Sequence, residues 1–154
     1  MDPQLRDFQN LLKTGIVKEA DRDDAGVRQY LANAQGYLDD ARIAKHAQSR
    51  FIIAYEGIRA VAVGVLLHFK ARPGDGSGHR AQALQIIVGE LKLEERKKGS
   101  FKTVSDIHSL RNDKIYRQPI PPVGETMANA TVTVLELMIA EASKLTGIRA
   151  PPTE

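Results

Sequence analysis

The sequence predicts an all-α fold: an antiparallel up-down bundle of four to five core helices, with a short extra helix at the N-terminal side. Three observations carry this. Apolar residues recur at three- and four-residue steps through most of the chain, the period of a helix with one buried face. No run keeps the alternation of a strand in preference to that period. Glycine- and proline-rich breaks separate the periodic segments.

Each element follows in order. Asp2 to Thr14 is expected to form a short amphipathic helix, with Leu5, Phe8, Leu11 and Leu12 on one side and Gly15 as its stop. Across Asp24 to His46, the residues Val27, Tyr30, Leu31, Ala34, Leu38 and Ala41 mark the inward stripe of a long helix, capped by Asp23 or Asp24. Ser49 to Lys70 is the most apolar helix, and "RPGDGSG", Arg72 to Gly78, is a loop. His79 to about Leu93 places Ala83, Leu84, Ile87 and Leu91 on one face, and "EERKKGS" is a charged connection. Phe101 to about Arg117 turns Val104, Ile107 and Leu110, and further along Ile115, inward. After the break "QPIPPVG", Glu125 to Leu145 is a last long helix with Met127, Ala130, Val134, Leu137 and Ala140 inward. Its β-branched run "ATVTV", Ala130 to Val134, has the lowest helix propensity of these segments.

The stretch Phe51 to Phe69, "FIIAYEGIRAVAVGVLLHF", has the length of a membrane span. Glu56 and Arg59 lie inside it, and each would cost about 2.5–3.5 kcal/mol near a bilayer centre. Three residues apart, they can pair on one helical face, so the segment is expected to be the central helix of a soluble bundle rather than a span.

A chain of 154 residues suits one domain with a real core. The absence of cysteine excludes a disulfide scaffold, thiolate zinc sites and a thiol nucleophile. A net charge of +3 with interspersed acids and bases allows weak attraction to polyanions without marking a dedicated DNA-binding surface. The opening "MDPQLRDFQN" carries both charges and no apolar run, so no secretory signal and a cytoplasmic location are expected.

The histidines His46, His68, His79 and His108 share no metal-ligand spacing with one another or with acids, so no metal and no cofactor is expected. "RPGDGSGHR" has glycines ahead of a helix but lacks the Gly-Lys-Ser/Thr ending and the preceding strand of a phosphate loop. "KLEERKKGSFK", Lys92 to Lys102, clusters five cations with two acids and reads as a solvated turn that phosphates would also attract.

One segment, "SLRNDKIYRQPIPP", does not read as plain helix. Arg111 and Asn112 sit side by side, Tyr116 follows, and prolines at 119, 121 and 122 end the helix. With His108 one turn before Arg111, a polar face of His108, Arg111 and Asn112 lies opposite the stripe of Val104, Ile107 and Leu110.

The order of these elements resembles the HEPN superfamily of helical bundles, over about residues 24 to 146 of a single domain spanning 1–154. The resemblance rests on "YLANAQGYLDDA", "AYEGIRAVAVGVLL", "GHRAQAL", a helix ending "LRNDKIY" and a last long helix. In that family the penultimate helix often carries Arg, a polar residue, then His after four to six positions. The pair forms the centre of metal-independent RNases, generally across a two-fold dimer. By position Arg111 matches the arginine and Asn112 the polar residue, while Tyr116 stands where the shortest motif has histidine. A phenol with a reference pKa near 10 is a poor general base. The resemblance therefore implies a cytoplasmic RNA- or nucleotide-associated accessory module with weak or no catalysis, binding through Arg111, Asn112 and Lys114. It further implies a homodimer, a toxin–antitoxin, defence or stress setting, and a partner protein such as a nucleotidyltransferase. Two alternatives stay open: a metal-independent endoribonuclease using Arg111 with Tyr116 or His108, and a protein–protein interaction module. The Arg-Asn pair can also be structural, tying its helix to Glu56 or Asp106.

Overall fold

In chain order the elements are α1 (Phe8–Lys13), β1 (Val17–Glu19), α2 (Asp24–Ile43), α3 (Ala47–His68), β2 (Ala71–Pro73), α4 (His79–Glu90), α5 (Leu93–Arg96), α6 (Ser100–Asn112) and α7 (Glu125–Thr146). The computed structural model describes residues 4–76, 79–112 and 123–149, with 111 and 112 described as backbone only. The all-α bundle expected from the sequence is the fold: α2, α3 and α7 pack as its core, and α4 and α6 pair beside them.

Helix α2 starts where the Asp23 carboxylate accepts a hydrogen bond from the Gly26 N–H at 2.8 Å, satisfying one of the free donors of the first turn. Its stripe of Val27, Leu31, Ala34, Leu38 and Ala41 is buried, and α3 packs against it. Helix α3 is buried on several sides at once, with Phe51, Ile58, Val61, Val65 and Leu66 all inaccessible. Gly57 lets α7 come close, since a Cβ there would lie 2.5 Å from Leu135 Cδ2. Glu56 and Arg59 pair at 3.5 Å, as their spacing predicts. By length and composition α3 could cross a membrane, but 61% of its most apolar window is buried inside this fold.

Several details depart from the sequence reading. The N-terminal helix starts at Phe8 rather than Asp2, because Asp7 takes a left-handed conformation (φ 59°) that interrupts helical dihedrals. Leu5 is buried nonetheless, from outside the helix. A two-stranded antiparallel ribbon is an addition that the periodicity does not announce: Val17 pairs with Pro73, Lys18 with Arg72 and Glu19 with Ala71. Three residues are too few to show an alternating pattern. Beyond the ribbon, the Gly74 N–H donates to Ile16 O at 2.9 Å, and a Cβ on Gly74 would overlap the Gly15 carbonyl oxygen. Only glycine fits there.

Helix α4 ends at Glu90 rather than about Leu93, and the short helix α5, seated by the fully buried Leu93, runs into the "EERKKGS" connection. Glu94 accepts from the Gly99 N–H at 2.8 Å and the Phe101 N–H at 2.6 Å, closing the turn into α6. These two bonds, that from Phe101 first, hold the Glu94 carboxyl below its usual range. Arg96 reaches the buried Glu141 of α7 at 3.2 Å. Helix α7 runs unbroken through its β-branched segment, but rotated from the expected phase. Ala128, Thr131, Leu135, Met138 and Ala142 face the core; of the expected stripe Val134 is buried, Met127, Ala130 and Leu137 are half-buried, and Ala140 is exposed. Both stripes are apolar, so periodicity alone does not fix which one turns inward. The expected continuation of α6 to Arg117, with Ile115, lies outside the described residues.

Candidate functional site

A cavity of about 320 Å³ opens where α2, α3, α4 and α6 meet the ribbon. One stripe of α3 forms its long wall: Tyr55, Arg59, Ala62 and Leu66 follow one another at helical spacing. Strand β2 delivers Arg72 to the rim, and the turn after it delivers Asp75. The first turn of α4 adds Arg80, with Leu84 one turn deeper on the floor. Tyr30 of α2, whose spacing predicts an inward position, is instead 37% exposed and stands at the cavity.

The charges of this lining are unbalanced. Arg59, Arg72 and Arg80 face one carboxylate, Asp75. Asp75 is itself engaged by Lys18 across the ribbon, a hydrogen-bonded ion pair that keeps its carboxyl below the ordinary range. Arg59 is paired with Glu56, whereas Arg72 and Arg80 make no ion pair among the described residues. His79 does not enter the cavity lining. Its Nδ1 accepts from the Gly76 N–H at 3.1 Å, which commits one of the loop N–H groups that a phosphate loop would need.

His108 of α6 is the one sequence-derived candidate whose side chain is described, and it lines the cavity. Its Nδ1 lies 3.0 Å from the hydroxyl of the buried Tyr55, with the two rings tilted at 40°. Burial, and then the Arg59 charge, lowers the imidazole pKa. Arg111 and Asn112 occupy the last turn of α6, and Arg111 is one turn beyond His108. Their side chains, with Lys114 and Tyr116, lie outside the described residues. Of the proposed structural partners, Asp106 bonds Lys102 at 2.8 Å and Glu56 meets Arg59. Among the described residues, no three histidine or acidic side chains converge as a metal site would require.

A second cavity, of about 470 Å³, adjoins the first at His108, which lines both. Its walls are Leu11 and Ile16 from the N-terminal corner, Gln82 and Gln85 of α4, and Ser105 of α6. Gln85 donates to the Phe101 carbonyl at 3.4 Å, while its buried Oε1 has no partner among the described residues. An unsatisfied buried acceptor costs about 1–3 kcal/mol.

Sequence reasoning finds His108 but misses Arg72 and Arg80 as site residues. Both stand in "RPGDGSGHR", a stretch whose glycines, rather than its arginines, draw attention as a possible phosphate loop. The spacing of Arg59 marks it only as a partner of Glu56. Compared with protein-family models, curated proteins and solved structures, the chain matches none.

Proposed function

We propose that this protein is an HEPN-like accessory module that binds RNA or a nucleotide through phosphate, with weak or no catalysis. In this reading it is a cytoplasmic homodimer whose α6 helices approach each other across a two-fold axis. It works beside a partner such as a nucleotidyltransferase in a toxin–antitoxin, defence or stress system.

The observation that carries the proposal is the cavity in which three guanidiniums face one already paired carboxylate. A guanidinium stays charged and can hold a phosphate with two parallel hydrogen bonds. The apolar floor of Ala62, Leu66 and Leu84 shields such contacts from bulk water. Tyr30, half exposed, offers a ring face on which a base can stack. Binding is favoured over cleavage because His108 is the one imidazole on the described walls and its Nδ1 is engaged by Tyr55. General acid–base cleavage calls for two groups that exchange protons in turn.

Titration of a fluorescent single-stranded oligoribonucleotide tests this. Affinity should fall as salt rises, with a log–log slope of roughly −0.7 per phosphate contact. Arg72→Ala and Arg80→Ala should each weaken binding about tenfold or more, the loss of a charge-assisted hydrogen bond. Because both side chains are exposed and unpaired among the described residues, stability should move by no more than about 0.5 kcal/mol. Binding indifferent to salt and to both substitutions would overturn the proposal.

A further inference from the structure

The charged turn between α5 and α6 is tied down more firmly than a solvated connection requires. Leu93 anchors its start in the core, and Ser100 is buried at its end. The Lys97 N–H donates to Leu93 O at 2.8 Å, and the Ser100 N–H to Lys97 O at 3.2 Å. Both carboxylate oxygens of Glu94 are engaged, one by the Gly99 N–H and the other by the Phe101 N–H. The Ser100 hydroxyl donates to Lys97 O at 2.6 Å, and Gln85 of α4 donates to the Phe101 carbonyl. Gly99 takes the left-handed dihedral (φ 90°) that the reversal between the two helices needs.

That fixed backbone presents an aromatic ring among cations. Phe101 is 49% exposed, and Lys97, Lys98 and Lys102, its neighbours in sequence, are exposed too. Lys102 pairs with Asp106 at 2.8 Å, whereas Lys97 and Lys98 make no ion pair among the described residues. The turn supplies no residue to the arginine cavity, so its cations are not those of the phosphate-binding reading.

A single-stranded nucleic acid needs two things from a docking surface: a ring face on which a base can stack, and cations for the phosphates beside it. The turn offers both. An anionic membrane would use the cations but gain little from one phenyl ring, because interfacial binding scales with the apolar area buried. The ordered backbone also means that little conformational freedom is lost when a strand docks.

We propose that this turn is a docking site for single-stranded nucleic acid, in which a base stacks on Phe101 while Lys97 and Lys98 hold the flanking phosphates. The contact is additional to the arginine cavity and does not depend on it.

The chain contains no tryptophan, so Phe101→Trp places a single fluorescent reporter in the turn. Titrating that variant with a uridylate dodecamer at low salt should quench its emission without a blue shift. A blue shift with phosphatidylserine vesicles and no response to the dodecamer would overturn the proposal in favour of a membrane surface. In anisotropy titrations of the otherwise unaltered chain, Phe101→Ala should weaken dodecamer binding at least about fivefold, the loss of one stacked base. Lys97→Gln combined with Lys98→Gln should flatten the log–log salt slope by about 1.4, since each phosphate contact on a single strand contributes roughly 0.7. The three side chains are exposed and the turn's hydrogen bonds do not use them, so the melting temperature should not move. No dodecamer binding by the parent protein, or binding that these substitutions leave unchanged, would overturn the docking site. If Arg72→Ala and Arg80→Ala weaken binding and the turn variants do not, the cavity reading stands without the turn. Binding that responds to the turn variants and ignores both arginines supports the docking site and overturns the cavity.

Discussion

Replacing Gly57 by alanine should destabilise the protein, although alanine is the better helix former. In an open helical position the change from glycine to alanine gains about 0.5–1 kcal/mol. Gly36 in α2 is such a position, with nothing within 4 Å of an added methyl, and Gly36→Ala should gain that amount. At Gly57 the added methyl would meet Leu135 Cδ2 at 2.5 Å, Leu135 Cδ1 at 2.9 Å and Tyr37 Cβ at 3.2 Å. Leu135 is fully buried and has little room to rotate away, and the Tyr37 Cβ is fixed to the α2 backbone. Overpacking of this kind costs about 1–3 kcal/mol, which exceeds the propensity gain. The net expectation is a loss of about 1 kcal/mol, so the two variants should differ by roughly 2 kcal/mol. Urea denaturation followed by circular dichroism resolves a difference of that size, because the midpoints move in opposite directions. If Gly57→Ala is as stable as Gly36→Ala, then α2, α3 and α7 do not meet at Gly57 and the central packing is wrong.

Leu66→Ala should cost about 2–5 kcal/mol, since the side chain is wholly inaccessible in the middle of the core; a change within about 0.5 kcal/mol would place α3 incorrectly. His108 and His68 are both held below their ordinary pKa, chiefly by burial, so the unfolded chain takes up protons first as pH falls. Stability should therefore decline as pH drops from about 7 through the lowered folded-state values, and level off below them. His108→Gln should flatten part of that decline; an unchanged pH profile would show that the imidazole is not desolvated. Light scattering at tens of micromolar should give a dimer mass, and a monomer mass would count against a site shared between copies. Tyr116→His should raise cleavage of single-stranded RNA without any requirement for metal, if the HEPN reading of Arg111 is correct; no gain in cleavage would argue that Arg111 serves binding or structure.

The helical period determined the number and type of the long elements, because burying one face of a 3.6-residue helix forces apolar residues into that spacing. It placed α2 with its cap at Asp23 or Asp24, of which Asp23 is the cap, and it placed the stripe of α4 and the central position of α3. The phase of α7 was not legible, since two apolar stripes compete and only the surfaces of its neighbours choose between them. Neither was the ribbon, whose strands of three residues are stabilised by pairing across more than fifty positions of sequence. The same limit applies to the site. The segment carrying Arg111, Asn112, Lys114 and Tyr116 stands out locally because its residue types and prolines are adjacent in sequence. Arg59, Arg72, Arg80, Tyr30 and His108 come from five separate elements, and no spacing announces that they share one cavity. Their convergence is set by how α2 and α4 dock on α3 and by the turn at Gly74, and long-range packing of that kind leaves no periodic mark in a single sequence.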